Sequence, residues 1–240
     1  MYKLAWIPRF DVGVTGAEPW EKWSANHAGA VLSLPNMVRY THNRFTPPEG
    51  AAITDGVLGY ACAWWPNRAA FELDVNHPAW ADVVRTSRTG DLDPVWSEWG
   101  SVAEVTEHLM RSGLGAETSP TQLPRAGSRK VTGILRFKHG MAPTDAFDYW
   151  EHVHGTFPLK TDKLGHYAQN HVTARIDESG AAAGRPAFDG FSEAYFADEA
   201  AEKEATTSPG WHELQADAPN LLDRDFHLGG LGVEVVLKPG

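Results

Sequence analysis

Two stretches of this chain repeat one another, and that repetition limits the folds open to it. Residues 20–43 read WEKWSANHAGAVLSLPNMVRYTHN, and residues 147–171 read FDYWEHVHGTFPLKTDKLGHYAQNH. In both, Trp precedes His by four residues, His precedes Tyr by thirteen, and Tyr precedes Asn by three. A W-x3-H-x12-Y-x2-N pattern that occurs twice without a gap marks an internal duplication, so the fold is two copies of one supersecondary unit. The second stretch also gathers four histidines, His152, His154, His166 and His171.

In the first copy, residues 2–8 read as a strand and 18–34 as a helix, with Trp20, Trp23, His27 and Val31 on one helical face. Strands follow at 37–45 and 57–65, the second opened by Asp55-Gly56. A helical region at 67–84, interrupted around Asn76-His77-Pro78, leads to a strand at 95–105. The segment 111–128 is rich in Gly, Pro, Ser and Thr and reads as a linker. The order then recurs: a strand at 130–138, a helix capped by Thr144 and running to Leu159, and strands at 164–175 and 190–196. A helix from Asp198, broken at Ser208-Pro209-Gly210, precedes a closing strand at 226–237.

The expected organisation is a first repeat at 1–110, the linker at 111–128 and a second repeat at 129–240. Each repeat reads β-α-β-β-α-β, the split order of ferredoxin-like folds. An antiparallel sheet with helices on one side leaves its other face apolar and uncovered. The expected fold class is therefore α+β: two ferredoxin-like repeats packed sheet to sheet as an eight-stranded barrel within one chain, neither half stable alone.

Composition narrows the partners. The formal charge of −10 argues against nucleic acid or an anionic membrane surface. No run approaches membrane-spanning length and no signal-peptide core opens the chain. Cys62 is the only cysteine, so no internal disulfide can form, and a cytoplasmic protein is the simplest reading. Ten Trp and ten Phe can fill a core or line an apolar pocket for a small molecule. Whether the chain pairs again as a homodimer is left open by the sequence.

Phe147, Tyr149, Trp150, His154, Pro158, Leu159, Tyr167, Asn170 and His171 together resemble the EthD-like family of the dimeric α+β barrel superfamily. The first copy keeps Trp23, His27, Tyr40 and Asn43 but has no proline after the histidine. The resemblance covers essentially the whole chain as a tandem fused pair. It implies the barrel, and relatives that are isomerases, decarboxylases, dehydratases and cofactor-free oxygenases of small aromatic or polyketide-derived molecules. Fold likeness does not choose among them.

His154 is the first catalytic candidate, as an imidazole able to take up and return a proton near neutrality. Tyr167 and His171 share a strand face with Gln169 and would polarise or protonate a carbonyl or phenol. Trp150 and Phe147 would wall the pocket, with Asn170 as a further contact. His27 and Tyr40 mark a weaker first pocket, so the second repeat is expected to be the better equipped. A buried structural role for each of these residues is the alternative. His152 and His154 diverge on a helix, which makes a poor chelate, and no metal site, haem motif, phosphate loop or dinucleotide fingerprint is present, so no cofactor is expected. The expected activity is cofactor-independent acid/base chemistry of the lyase, dehydratase, decarboxylase or isomerase type on a small apolar carbonyl or phenol. The alternatives are a cofactor-free monooxygenase and a non-catalytic small-molecule-binding protein.

Overall fold

The computed structural model describes residues 1–10, 17–46, 56–88, 95–97, 101–111, 129–226 and 228–239. The first repeat supplies β1 (Tyr2–Trp6), α1 (Glu18–Val31), β2 (Arg39–Phe45), β3 (Gly59–Trp65), α2 (Arg68–Val75), α3 (Trp80–Thr86) and β4 (Val102–Arg111). The second supplies β5 (Arg129–Leu135), α4 (Pro143–His152), β6 (Leu164–Arg175), β7 (Gly190–Phe196), α5 (Glu199–Thr206), α6 (Pro209–Leu221) and β8 (Leu228–Pro239). The strands close into one barrel in the order β1-β3-β2-β8-β5-β7-β6-β4, the α+β barrel expected from two βαββαβ copies. Arg111 ends β4, and the rest of the expected linker lies outside the described residues, as do Asp55 and Trp99.

Contacts divide the chain into two compact units that do not follow the repeat boundary. One is Met1–Thr106, Val172–Ala187 and Gly232–Gly240; the other is Glu107–His171 and Phe188–Leu231. β4, β6 and β8 therefore each have one end in either unit.

Within the first unit the two-residue period of the strands separates the faces. Leu4 and Trp6 of β1, Tyr40 of β2 and Trp65 of β3 join Trp20, Trp23 and Val31 of α1 in one buried cluster. Each buried indole removes on the order of 200 Å² from water, a gross gain of about 5 kcal/mol before ordering costs. On the opposite face Trp64 is paired in register with Lys3 and Arg39, and both cations lie over its ring, at 4.6 and 4.5 Å from the centroid. The second unit alternates likewise. Lys130 of β5 and Glu193 of β7 form a buried 2.5 Å ion pair on one face, while Tyr167 and Ala194 pack with Phe196 and Ala205 on the other.

Local chemistry sets the helix ends. Asn67 and Asp198 accept from the backbone N–H of Ala70 and Ala201 and cap α2 and α5, and Ser208 at the expected break is the cap of α6. Two boundaries differ from expectation. β4 starts at Val102 rather than Val95, because Val95 and Trp96 are drawn into the buried cluster. α4 begins at Pro143, capped by Ala142 instead of Thr144, and stops at His152; two 3₁₀ turns, His154–Thr156 and Pro158–Lys160, replace its expected continuation to Leu159. Past His152 the Trp150 carbonyl accepts from Gln169 Nε2, and proline bars a longer helix further on. Pro158 has no N–H to donate, and in an α-helix its ring would strike the carbonyl of His154 four residues back. The two repeats correspond at a constant offset of 127 residues from Trp20/Phe147 to Arg44/His171, which puts Val31 opposite Pro158. α1 runs unbroken to Val31.

Candidate functional site

The 3₁₀ turn takes His154 off the helical face that carries Trp150 and aims it at α6. Its Nδ1 lies 2.8 Å from Asp217 Oδ2, while Asp217 Oδ1 accepts from Tyr149 Oη at 2.7 Å and from Asn220 Nδ2 at 2.9 Å. Burial lowers the His154 pKa and Asp217 offsets only part of that. Burial opposes ionisation of Asp217, yet bonds from Asn220, Tyr149 and His154 leave its carboxyl below the usual range. An ionised Asp217 fixes the proton of His154 on Nδ1 and leaves Nε2 as the basic nitrogen.

The other expected members of the second-repeat site sit elsewhere. Tyr167 is buried in the cluster with Leu164 and Phe196, its hydroxyl pushed up to about 12 by burial, and among the described residues it makes no hydrogen bond to His154. His171 Nε2 lies 3.0 Å from Gln169 Oε1, and Gln169 donates to the Trp150 carbonyl at 3.0 Å. The His171 ring is stacked on Phe147 at 4.5 Å, Trp150 at 4.9 Å and His108 at 4.1 Å, and burial together with His108 pushes it down to about 3. His108 in turn meets Glu151 at 3.3 Å. Asn170 is on the opposite face of β6, donating to Glu193 and the Phe191 carbonyl. The structure thus brings Phe147, Trp150 and His171 together, joins Tyr167 to them through Gln169, and leaves His154 and Asn170 in separate settings.

The first repeat is arranged differently. His27 Nδ1 is 2.5 Å from Tyr40 Oη, which is 2.7 Å from His42 Nε2. One hydroxyl carries one proton, so one imidazole donates to Tyr40 while the other accepts from it. The three groups form a relay with two tautomeric settings. Its inner end is closed: His27 stacks on Trp23 at 4.7 Å, meets Trp6 edge-on at 5.2 Å, and its Nε2 is buried without a hydrogen-bond partner. Its outer end is open. His42 lines a cavity of about 430 Å³ bounded by Trp20, Ala25 and Ala28 of α1, by Arg44 of β2, and by Val233, Val235 and Leu237 of β8. Glu21 sits at the edge, 3.2 Å from the Arg44 guanidinium. Among the described residues Nδ1 of His42 has no hydrogen-bond partner.

Burial governs the electrostatics of the relay. His27 is held well below the ordinary histidine value by burial and then by His42, His42 is pushed down to about 4, and the Tyr40 hydroxyl is raised well above its usual range. All three are neutral at pH 7. At the matching positions of the second repeat, Phe147 and His171, which correspond to Trp20 and Arg44, are stacked on one another. Among the described residues no cluster of three or more His, Cys, Asp and Glu could hold a metal ion. No helix is long and apolar enough to cross a membrane.

Sequence reasoning passed over His42, Asp217 and His108. His42 had a signal, since it lies two residues from Tyr40 on the same strand face, where the second copy has Gln169. Asp217 and His108 had none, because only tertiary packing brings them to His154 and His171.

Residues 138–225 match the EthD domain family. A comparison with curated protein sequences found no match. Among solved structures, a candidate monooxygenase from Fusobacterium nucleatum subsp. nucleatum is similar over 100% of this chain and 95% of its own, at 8% identity and a TM-score of 0.56. An anthrone oxidase-like protein is similar over 98% of this chain and 92% of its own, at 10% identity and a TM-score of 0.58. At such identities the likeness concerns the fold, and in both cases it spans the two repeats together. The duplicated motif, the closed barrel and the family match agree: residues 138–225 of the second repeat are similar to the EthD domain family, and the chain folds as an eight-stranded α+β barrel.

Proposed function

We propose that this chain binds a small, largely apolar molecule in the first-repeat cavity and moves a proton on it without a cofactor. The observation that supports this reading is a buried His27–Tyr40–His42 relay whose outer imidazole lines the cavity. With His42 Nε2–H donating to Tyr40 and Tyr40 donating to His27, Nδ1 of His42 presents a lone pair to the ligand. Its low pKa keeps it unprotonated at neutral pH but also makes it a weak base, so removal of an acidic O–H proton or of a C–H proton beside a carbonyl depends on the imidazolium pairing with the anion formed. The charge gained stays on His42, because His27 is more deeply buried, and it pairs with the anion formed in the cavity. Return of the proton to another atom is isomerisation, or primes loss of a leaving group; capture of the carbanion by dioxygen gives a peroxide that the imidazolium protonates, and loss of water from that hydroperoxide leaves one oxygen atom on the carbon as a carbonyl, which is monooxygenation. The names carried by two structural neighbours favour the oxygen variant.

A second reading keeps the chemistry at His154, whose Asp217 partner orients it as a base in the manner of His-Asp pairs. Tyr167 and His171 are held too firmly in other contacts to assist it, and the described cavity does not include it.

The test is hydrogen–deuterium exchange of acidic C–H groups across a panel of aryl ketones and phenols, with dioxygen uptake recorded alongside. His42→Gln installs the residue that the second repeat carries at this place and should lower exchange by about 10²- to 10⁴-fold without unfolding the chain. Unchanged exchange in that variant, with loss in His154→Ala, moves the site to the second repeat. No exchange and no oxygen uptake with any ligand that binds leaves a binding protein.

A further inference from the structure

The second repeat acts as an internal control for the first. Of the positions that wall the first-repeat cavity, two on β2 change character together between the copies: His42 corresponds to Gln169, and Arg44 to His171. Where the cavity is open, the strand carries a base and a cation. At the matching positions the second strand carries the Gln169 amide and a neutral imidazole, His171, stacked on Phe147.

We infer that the ligand of the first-repeat cavity is an aryl acid, its carboxylate held by Arg44 about 7 Å from the position that His42 deprotonates. This rests on the reading of the cavity as the reactive site. The spacing follows from the strand: residues 42 and 44 lie on one face two positions apart, which is about 7 Å along β2. Opposite them, in register, stand Val235 and Val233 of β8, so both polar groups face an apolar wall with room for a ring system between.

Arg44 is available for such a ligand. Its ion pair with Glu21 uses one guanidinium nitrogen at 3.2 Å, and the two side chains are 38% and 65% exposed. Pairs this exposed contribute little, so a carboxylate that engages the guanidinium fork on two nitrogens can displace Glu21. The net charge of −10 offers anions no long-range attraction, so any preference for an acid must reside in Arg44 and vanish with it.

Calorimetric titration of the intact chain with 6-hydroxy-2-naphthoate and with 2-naphthol tests this. The acid is expected to bind at least about tenfold more tightly than the naphthol, the range of a charge-assisted paired hydrogen bond. Arg44→Gln should erase that preference, while Glu21→Gln, which frees the guanidinium, should tighten the acid by roughly two- to fivefold. The affinity for 2-naphthol should stay within about twofold throughout, and His42→Gln should retain the preference for the acid while turnover falls. A wild-type chain that binds the two ligands equally, or a preference that survives Arg44→Gln, overturns the inference and leaves the cavity reading standing. Failure of both ligands to bind overturns the cavity reading and this inference with it.

Discussion

Tyr40→Phe deletes one oxygen and strands two imidazoles, and the second repeat supplies its own comparison in Tyr167→Phe. The Tyr40 hydroxyl is shared by His27 Nδ1 at 2.5 Å and His42 Nε2 at 2.7 Å. His27 is fully buried and its Nε2 already lacks a partner, so the variant leaves that ring with no hydrogen bond at all. A buried polar atom left unsatisfied costs about 1–3 kcal/mol. His42 borders the cavity, where water can reach it, so its share falls at the low end and the total comes to about 3 kcal/mol. Removing one hydroxyl changes side-chain volume little, so no cavity term is added. In Tyr167→Phe, Gln169 keeps its bonds to the Trp150 carbonyl and to His171, which limits the loss to about 1 kcal/mol. Urea unfolding at pH 7.5, where the histidines are neutral, should show unequal shifts in midpoint with unchanged slopes. Equal losses in the two variants, or a loss below about 1 kcal/mol for Tyr40→Phe, would refute the relay as a buried network.

Acid should weaken the fold through histidines held neutral. His42 is pushed down to about 4 and His171 to about 3, while the unfolded chain takes up protons near 6.5, so stability is complete above pH 6.5 and falls as pH drops towards those values. At about 1.4 kcal/mol per unit, each costs on the order of 2 kcal/mol by pH 5, and a urea midpoint that stays flat from pH 7 to 5 would contradict this. Gly155→Ala places a Cβ 1.9 Å from Gln169 Nε2 and 2.6 Å from the Trp150 carbonyl, which breaks their bond. It should cost about 1–3 kcal/mol and lower the melting temperature by several degrees, whereas the first repeat already has Ala28 at that place. Asp217→Asn removes the charge that raises the His154 pKa, so the ring, followed by NMR, should titrate at lower pH than in the parent chain.

The barrel was legible because it rests on patterns that single elements carry. The apolar stripe Trp20-Trp23-His27-Val31 and the alternation of β1 each announce a buried face without knowledge of a neighbour. The site was legible only in part. The pattern that names His27 and His154 as equivalents cannot reveal that α4 stops at His152 and a 3₁₀ turn directs one of them towards Asp217, nor that Phe147, His171 and His108 stack where Trp20 and Arg44 line a cavity.

The wall made by Val233, Val235 and Leu237 has a consequence for how the site comes into being. β8 is the final strand in chain order, yet it pairs with β2 and closes the cavity against α1. During synthesis the aromatic face of α1 and the edge of β2 are made early and wait for that strand. At roughly 10 residues per second the wait is on the order of 20 s. Through that interval the nascent chain exposes an unpaired strand edge beside Trp20, the feature that chaperones hold and that aggregation exploits. His42, Arg44 and the apolar wall meet only when the second copy has been made, so the first-repeat cavity belongs to the chain as a whole and to neither copy alone.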